Sequence, residues 1–165
     1  MNGIYDQGLA RNEANYQPLT PLTFLERAAT VYPEQTAIIY GDLHVNYYTF
    51  YQRCRQLSSS LAKIGISRGD TVSVMLANTP AMLEVHYAVP MCGGVLHALN
   101  TRLDASVIEF QVRHAESRVL ITDTEFADTI SEVLAQQDLS LLVIDYVDRS
   151  LDTVGDMLGF CEYEN

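Results

Sequence analysis

Between Tyr48 and Leu103 the apolar residues switch repeatedly between a helical and an extended period, and each switch falls at residues that end regular structure. Phe50, Cys54, Leu57, Leu61 and Ile64 step by four, three, four and three, the spacing of one helix face. Gly65 ends that face, as glycine commonly does after a helix. Thr71-Val72-Ser73-Val74-Met75-Leu76 follows, a nearly continuous β-rich run of the kind seen in a strand covered on both sides. Asn78-Thr79-Pro80 then opens a helical segment over 79–92 that is apolar almost all round and expected to be deeply buried. Pro90 inside it predicts a kink or an early stop. Gly93-Gly94 closes it, and Gly94 to Ala98 reads as the next strand. Helix, strand, helix, strand in this order predicts an α/β fold, a mostly parallel sheet flanked by helices.

The flanking segments extend the pattern. Thr20-Pro21 opens a first helix, since proline at the first helical position removes no hydrogen bond; Thr23 and Glu26 offer a capping box three residues later. Leu22, Leu25, Ala28, Ala29 and Tyr32 form its apolar face, and Pro33 stops it. Thr36 to Tyr40 and Leu43 to Tyr47 flank Gly41-Asp42 and predict a hairpin. Thr49 with Gln52 has the spacing of a capping box for the helix that follows. Downstream, Asp104 caps a helix with Val107, Ile108, Gln111, Val112 and Ala115 inward. Arg118 to Thr122 is a strand, and 124–136 a helix with Phe126, Ala127, Ile130, Val133 and Leu134 inward. Ser140 to Asp145 is the last strand; beyond Ser150 the pattern fades, with a short helix over 151–158 as the remaining candidate. The expected organisation is an arm over 1–19 that drapes on the domain, an α/β subdomain over 20–149, and a connection over 150–165.

The 165 residues suffice for one domain with a real core. The net charge of -11 argues against nucleic acid and anionic membranes as partners, because both require clustered Lys and Arg. The single lysine, Lys63, lies at a predicted helix end, where a cation complements the helix dipole; this makes it a surface residue rather than a catalytic one. Cys54, Cys92 and Cys161 are widely spaced and odd in number, as expected of reduced thiols in a cytoplasmic protein. The first residues lack the basic and apolar regions of a signal peptide, and no apolar run approaches the roughly 18 residues that cross a bilayer.

Chemical motifs are sparse. The glycines fit neither a P-loop nor a dinucleotide fingerprint; Gly65 with Gly69, and Gly93 with Gly94, read as turn glycines. His44, His86, His97 and His114 have no partner at metal-ligand spacing, and His86 and His97 read as hydrogen-bonded core residues. Ser58-Ser59-Ser60 lies on a helix without a nearby base, and no nucleophile elbow is present. The one polar cluster that stands out is Asn100-Thr101-Arg102-Leu103-Asp104, at the carboxyl end of a strand, where open α/β sheets place ligand crevices. Its simpler reading is a helix cap at Asp104 and an Arg102 that ties down neighbouring carbonyls. No residue is therefore assigned as catalytic, cofactor-binding or metal-ligating.

The order Gly65-Ile66-Ser67-Arg68-Gly69-Asp70, Leu83-Glu84-Val85-His86-Tyr87-Ala88-Val89-Pro90-Met91-Cys92-Gly93-Gly94, Leu99-Asn100-Thr101-Arg102-Leu103-Asp104 and Val119-Leu120-Ile121-Thr122-Asp123 resembles the opening of the adenylate-forming enzymes. Within them it is similar to acyl-CoA synthetases of the bacterial medium-chain or methylmercaptopropionate type, over roughly residues 14–135. The resemblance implies the N-terminal part of a large two-domain ligase. Such an enzyme joins a carboxylic acid to coenzyme A with ATP and magnesium, through an acyl-adenylate. The family's nucleotide loop, acid-binding motif and catalytic lysine map to no position here. The resemblance thus implies an incomplete subdomain, inactive alone, that binds none of these cofactors by itself. An apolar face open to self-association or to the remainder of the ligase is expected with it. Two rivals stand beside this reading: a non-catalytic partner-binding module derived from the same subdomain, and a small α/β enzyme active as it is.

Overall fold

The computed structural model describes residues 8, 12–13, 16–135, 140–150, 155–159 and 161–164. The first helix, α1 (Pro21–Val31), begins at the proline; Thr23 donates its hydroxyl to the Thr20 carbonyl at 2.8 Å, and no side chain caps the helix. Leu25 and Ala29 are buried, whereas Tyr32, just past the helix end, stays exposed. Strands β1 (Thr36–Tyr40) and β2 (Leu43–Asn46) pair antiparallel across Gly41-Asp42. Gly41 has φ +56°, the left-handed conformation that a tight hairpin turn requires.

Helix α2 (Tyr47–Lys63) follows without a loop. Its cap is Asn46, whose side chain accepts from the Thr49 amide at 2.8 Å. The capping box expected at Thr49 and Gln52 is thus corrected: Thr49 is the donor, and the helix starts two residues before it. The register of the hairpin, with Asn46 opposite Thr36, places an asparagine at the junction, and asparagine is among the best caps. Phe50, Cys54 and Leu61 are buried as the spacing predicts.

Strands β3 (Thr71–Met75), β4 (Val95–Ala98), β5 (Ser117–Asp123), β6 (Leu142–Tyr146) and β7 (Cys161–Glu162) form a parallel sheet in the order β4-β3-β5-β6-β7. Helix α3 (Pro80–Met91) links β3 to β4, α4 (Ala105–His114) links β4 to β5, and α5 (Ala127–Leu134) follows β5 through a 3-10 turn at Thr124–Phe126. On one face Val72, Val74, Val119, Ile121 and Ile144 pack with Leu61 of α2 and Ala81, Val85 and Val89 of α3. On the other, Met75 and Leu120 meet Ile108 and Val112 of α4 and Ile130 and Val133 of α5. Cover on both sides explains why β3 reads as a continuous apolar run. A third cluster, Leu25, Ile38, Val45, Phe50 and Cys54, joins α1 and the hairpin to α2. Burial pushes the Cys54 thiol up to about 12.

Expectations change at α3, at His86 and beyond β6, while Pro90 takes one of its two expected roles. Helix α3 is not buried all round: Leu83, His86 and Pro90 are exposed, because the core covers only the side that carries Ala81, Val85, Ala88 and Val89. His86 accordingly lies at the surface and donates from Nδ1 to the Met82 carbonyl at 2.7 Å. Pro90 falls in the last turn, so it acts as an early stop; Met91 is the last helical residue. Lastly, β6 is followed by a further parallel strand, β7, pairing Ile144 with Cys161 and Asp145 with Glu162. Two residues are too few to show a period, which is why the sequence pattern fades there. Of the short helix expected over 151–158, residues 155–158 are not helical and 151–154 lie outside the described residues.

Candidate functional site

Counted from β3, the sheet has the spatial order 2-1-3-4-5: β4 adds on one side of β3, then β5, β6 and β7 add on the other. The connections change side between β3 and β5. In open α/β sheets ligands settle in the crevice outside the carboxyl ends of the strands at such a switch point.

The residues placed there are Thr79, after β3; Asp123, the last residue of β5; and Tyr146 and Asp148, at and after the end of β6. Asp123 is there because it caps the 3-10 turn, its Oδ1 accepting from the Glu125 amide at 3.1 Å. Asp148 closes the loop after β6: its Oδ1 accepts from the Ser150 amide at 2.9 Å and the Ser150 hydroxyl at 2.7 Å. Its other oxygen accepts from the Tyr40 hydroxyl of the hairpin. A groove of about 920 Å³ runs beside this cluster, lined by Tyr40, Asn46, Glu84, Tyr146, Asp148 and Ser150 among others.

The electrostatics are those of a buried acidic pocket. Asp123 is 1% exposed, and burial pushes its carboxyl up to about 6, with the charges of Glu125 and Asp148 adding to the effect. Burial alone would raise Asp148 too, but hydrogen bonds from Tyr40 and Ser150 outweigh it and hold that carboxyl below its usual range. The bond to Asp148 raises the Tyr40 phenol, and burial pushes Tyr146 up to about 12. Among the described residues Asp123 Oδ2 is buried without a hydrogen-bond partner. Unsatisfied buried groups are uncommon in folded proteins.

The residues present do not fit a nucleotide triphosphate. A phosphate calls for cations or a cradle of amides, whereas among the described residues the switch point holds the carboxyl groups of Asp123 and Asp148. Arg53 and Arg149 border the groove, but Arg53 is engaged by Glu84 and Glu164 and Arg149 by Glu162. Among the described residues no group of three or more His, Cys, Asp or Glu side chains could hold a metal ion.

The polar cluster singled out in the sequence lies elsewhere, in the loop after β4. Asn100 Oδ1 accepts from the Arg102 amide at 3.0 Å, and Asp104 caps α4 through its carbonyl, not its side chain. The Arg102 side chain is exposed and bonds no carbonyl among the described residues, which corrects the tie-down expected of it. Lys63 is exposed in the last turn of α2. His44 is exposed, His114 stacks on Phe110, and His97 bonds Ser73. Sequence reasoning missed Asp123 and the Tyr40–Asp148 contact. For Asp123 a signal existed, a lone carboxylate at the end of an apolar strand; for a contact spanning 108 residues there was none.

Comparison with known proteins places these features. The family model described as AMP-binding enzyme matches residues 25–157. A peroxisomal butyrate–CoA ligase of Arabidopsis thaliana is 51% identical over 122 residues, 74% of this chain and 21% of that protein. A peroxisomal benzoate–CoA ligase of the same plant is 49% identical over 134 residues, 81% of this chain and 22% of that protein. Among solved structures, a fatty acyl CoA synthetase of Mycobacterium tuberculosis superposes with a TM-score of 0.71 at 25% identity, covering 78% of this chain and 26% of that one. The chain thus spans about a fifth of the length of these two curated relatives. With the family model covering most of its residues and both plant ligases matching it closely, the chain belongs to the AMP-binding enzyme family.

Proposed function

We propose that this chain is the N-terminal part of an ATP-dependent acyl-CoA ligase, which converts a carboxylic acid, ATP and coenzyme A to acyl-CoA, AMP and diphosphate. The observation that carries the proposal is the 51% and 49% identity to two CoA ligases along most of this chain and only a fifth of theirs. On this reading the 165 residues are inactive by themselves; what supports it is that, among the described residues, the switch-point crevice is acidic and the arginines bordering it are engaged by carboxylates. ATP, magnesium and coenzyme A belong to the parent enzyme. The proposed division is an arm over 1–19, an α/β subdomain over 20–149 and a connection over 150–165. The quoted sequence relatives are plant proteins, so the proposal is made for the family and not for its bacterial subgroup. The three free thiols suit a reducing compartment such as the cytoplasm, while the two plant relatives are named as peroxisomal.

A second reading is a partner-binding module. It rests on exposed apolar side chains, including Phe110 at 64% and Ile39 at 67%. The same surface would serve self-association or the remainder of the ligase.

Two measurements separate the readings. Calorimetric titration of ATP-magnesium into the 165-residue chain, sized by light scattering, is expected to give no saturable heat; micromolar binding would overturn its silence. The product of the complete reading frame is expected to release diphosphate when given ATP, coenzyme A and a carboxylic acid from a panel of chain lengths. Failure with every acid would leave the module reading.

A further inference from the structure

Ser73 sits in the middle of β3 and is completely buried. Its hydroxyl bonds sideways in both directions along the sheet. Its Oγ lies 2.9 Å from His97 Nδ1 on β4 and 2.6 Å from Ser117 Oγ on β5. The parallel register sets this up: Ser73 is opposite His97, and Ser117 is opposite Thr71 across a register shift at Thr71/Val72.

Each hydroxyl has one proton to donate, so such a chain has a direction. With a bare Nδ1, Ser73 donates to His97 and Ser117 donates to Ser73; the ring proton is then on Nε2. With a proton on Nδ1, His97 donates to Ser73 and Ser73 donates to Ser117. We propose that Ser117, Ser73 and His97 form one directional hydrogen-bond chain across three strands, that its polarity reverses when His97 takes a proton, and that β4 is thereby the pH-sensitive strand of the sheet.

The surroundings favour the neutral ring. β3 and α3 pack against β4, and β3 carries no ionisable side chain. Neither Glu84, His86 and Tyr87 of α3 nor Glu109, Arg113 and His114 of α4 acts on His97. Burial is the sole cause acting on the ring, and it lowers the pKa below the ordinary histidine value. A protonated His97 is a half-buried cation with no carboxylate acting on it among the described residues. Folded affinity for the proton is lower than unfolded affinity. The stabilisation is therefore complete above about pH 6.5 and is lost as pH falls through the lowered value. β4 is the strand to loosen, because it lies at the sheet edge and pairs only with β3 among the described residues.

Nitrogen-15 NMR of the imidazole rings tests this, together with amide exchange corrected for intrinsic rates. At pH 7.5 His97 is expected to be the Nε2–H tautomer with a bare Nδ1. Its midpoint should lie below the ordinary histidine value of 6.5. The protection of the β4 amides should fall by up to about tenfold per pH unit between pH 6.5 and the His97 midpoint, the limit for one linked proton. In His97→Asn, whose Oδ1 occupies the place of Nδ1 and can still accept from Ser73, protection should persist to lower pH. An Nδ1–H tautomer at pH 7.5, a His97 midpoint at or above the ordinary 6.5, or β4 protection unchanged through the His97 midpoint would each overturn the proposal. The wild-type measurements decide it even if the variant does not fold.

Discussion

Glu84 on α3 is buried to 1% exposure, and its carboxylate is gripped by Arg53 of α2 through both Nε and Nη2. Tyr163 donates its hydroxyl to the same carboxylate at 2.7 Å, and Glu164 takes the other side of the guanidinium at 2.6 Å and 3.1 Å. One arginine therefore ties the two helices to the residues around β7. Burial, with the Glu84 charge, raises the Tyr163 phenol well above its usual value.

Removing Arg53 leaves a buried carboxylate without a cation. Arg53→Met should destabilise the fold by about 3 kcal/mol, the cost typical of breaking a buried pair from one side. Glu84→Gln should cost less, since the amide keeps the shape and leaves no buried charge. Urea midpoints of the two variants test this. Equal losses, or an Arg53→Met midpoint within error of wild type, would show that Glu84 does not depend on its arginine.

The cap of α2 gives a second test, because two residues compete for the role. Asn46→Ala should cost about 1 kcal/mol, the usual value of a lost helix cap. Thr49→Ala should change stability by only a few tenths, since Thr49 contributes its backbone amide and not its hydroxyl. Thermal denaturation of both would decide it, and the reverse ranking would reinstate a capping box at Thr49.

Asp123 makes a prediction about pH. Its folded carboxyl titrates at about 6, above its ordinary value of 3.8, so the folded state holds a proton that the unfolded state releases. The stabilisation it supplies is complete below pH 3.8 and is lost as pH rises through about 6. Relative to Asp123→Asn, wild type should lose on the order of 2–3 kcal/mol across that window. Denaturant titrations at several pH values would read the difference. Parallel stability curves for the two proteins would mean that Asp123 is solvated in the fold.

How far the sequence could be read depended on what each feature needed. The α2 face from Phe50 to Leu61 was legible because helix spacing is local, and β3 because cover on both faces leaves a run without alternation. Helix α3 was misjudged in extent of burial: an apolar surface all round does not say how much of it the neighbours cover, and Leu83 remains 45% exposed. Asn46 gives no distinct cap signal because it also ends a strand, and a capping pattern alone does not rank two nearby candidates. At the candidate site, only the placement of a polar loop after a strand was anticipated. That loop, around Arg102, proved to be a different place from the cluster at Asp123.

By itself the sequence determined the type and order of the elements and the family resemblance, because periodicity, stop residues and motif order are properties of neighbours along the chain. Only the tertiary structure decided the order β4-β3-β5-β6-β7, and with it which strand ends flank the switch point. It also decided that β7 exists, since two residues become a strand only by pairing with β6. The contacts Tyr40–Asp148, Arg53–Glu84 and Ser73–His97 belong to the same class. Each joins side chains that meet only after separate elements have packed, so burial and hydrogen bonding across the fold, not local propensity, select them.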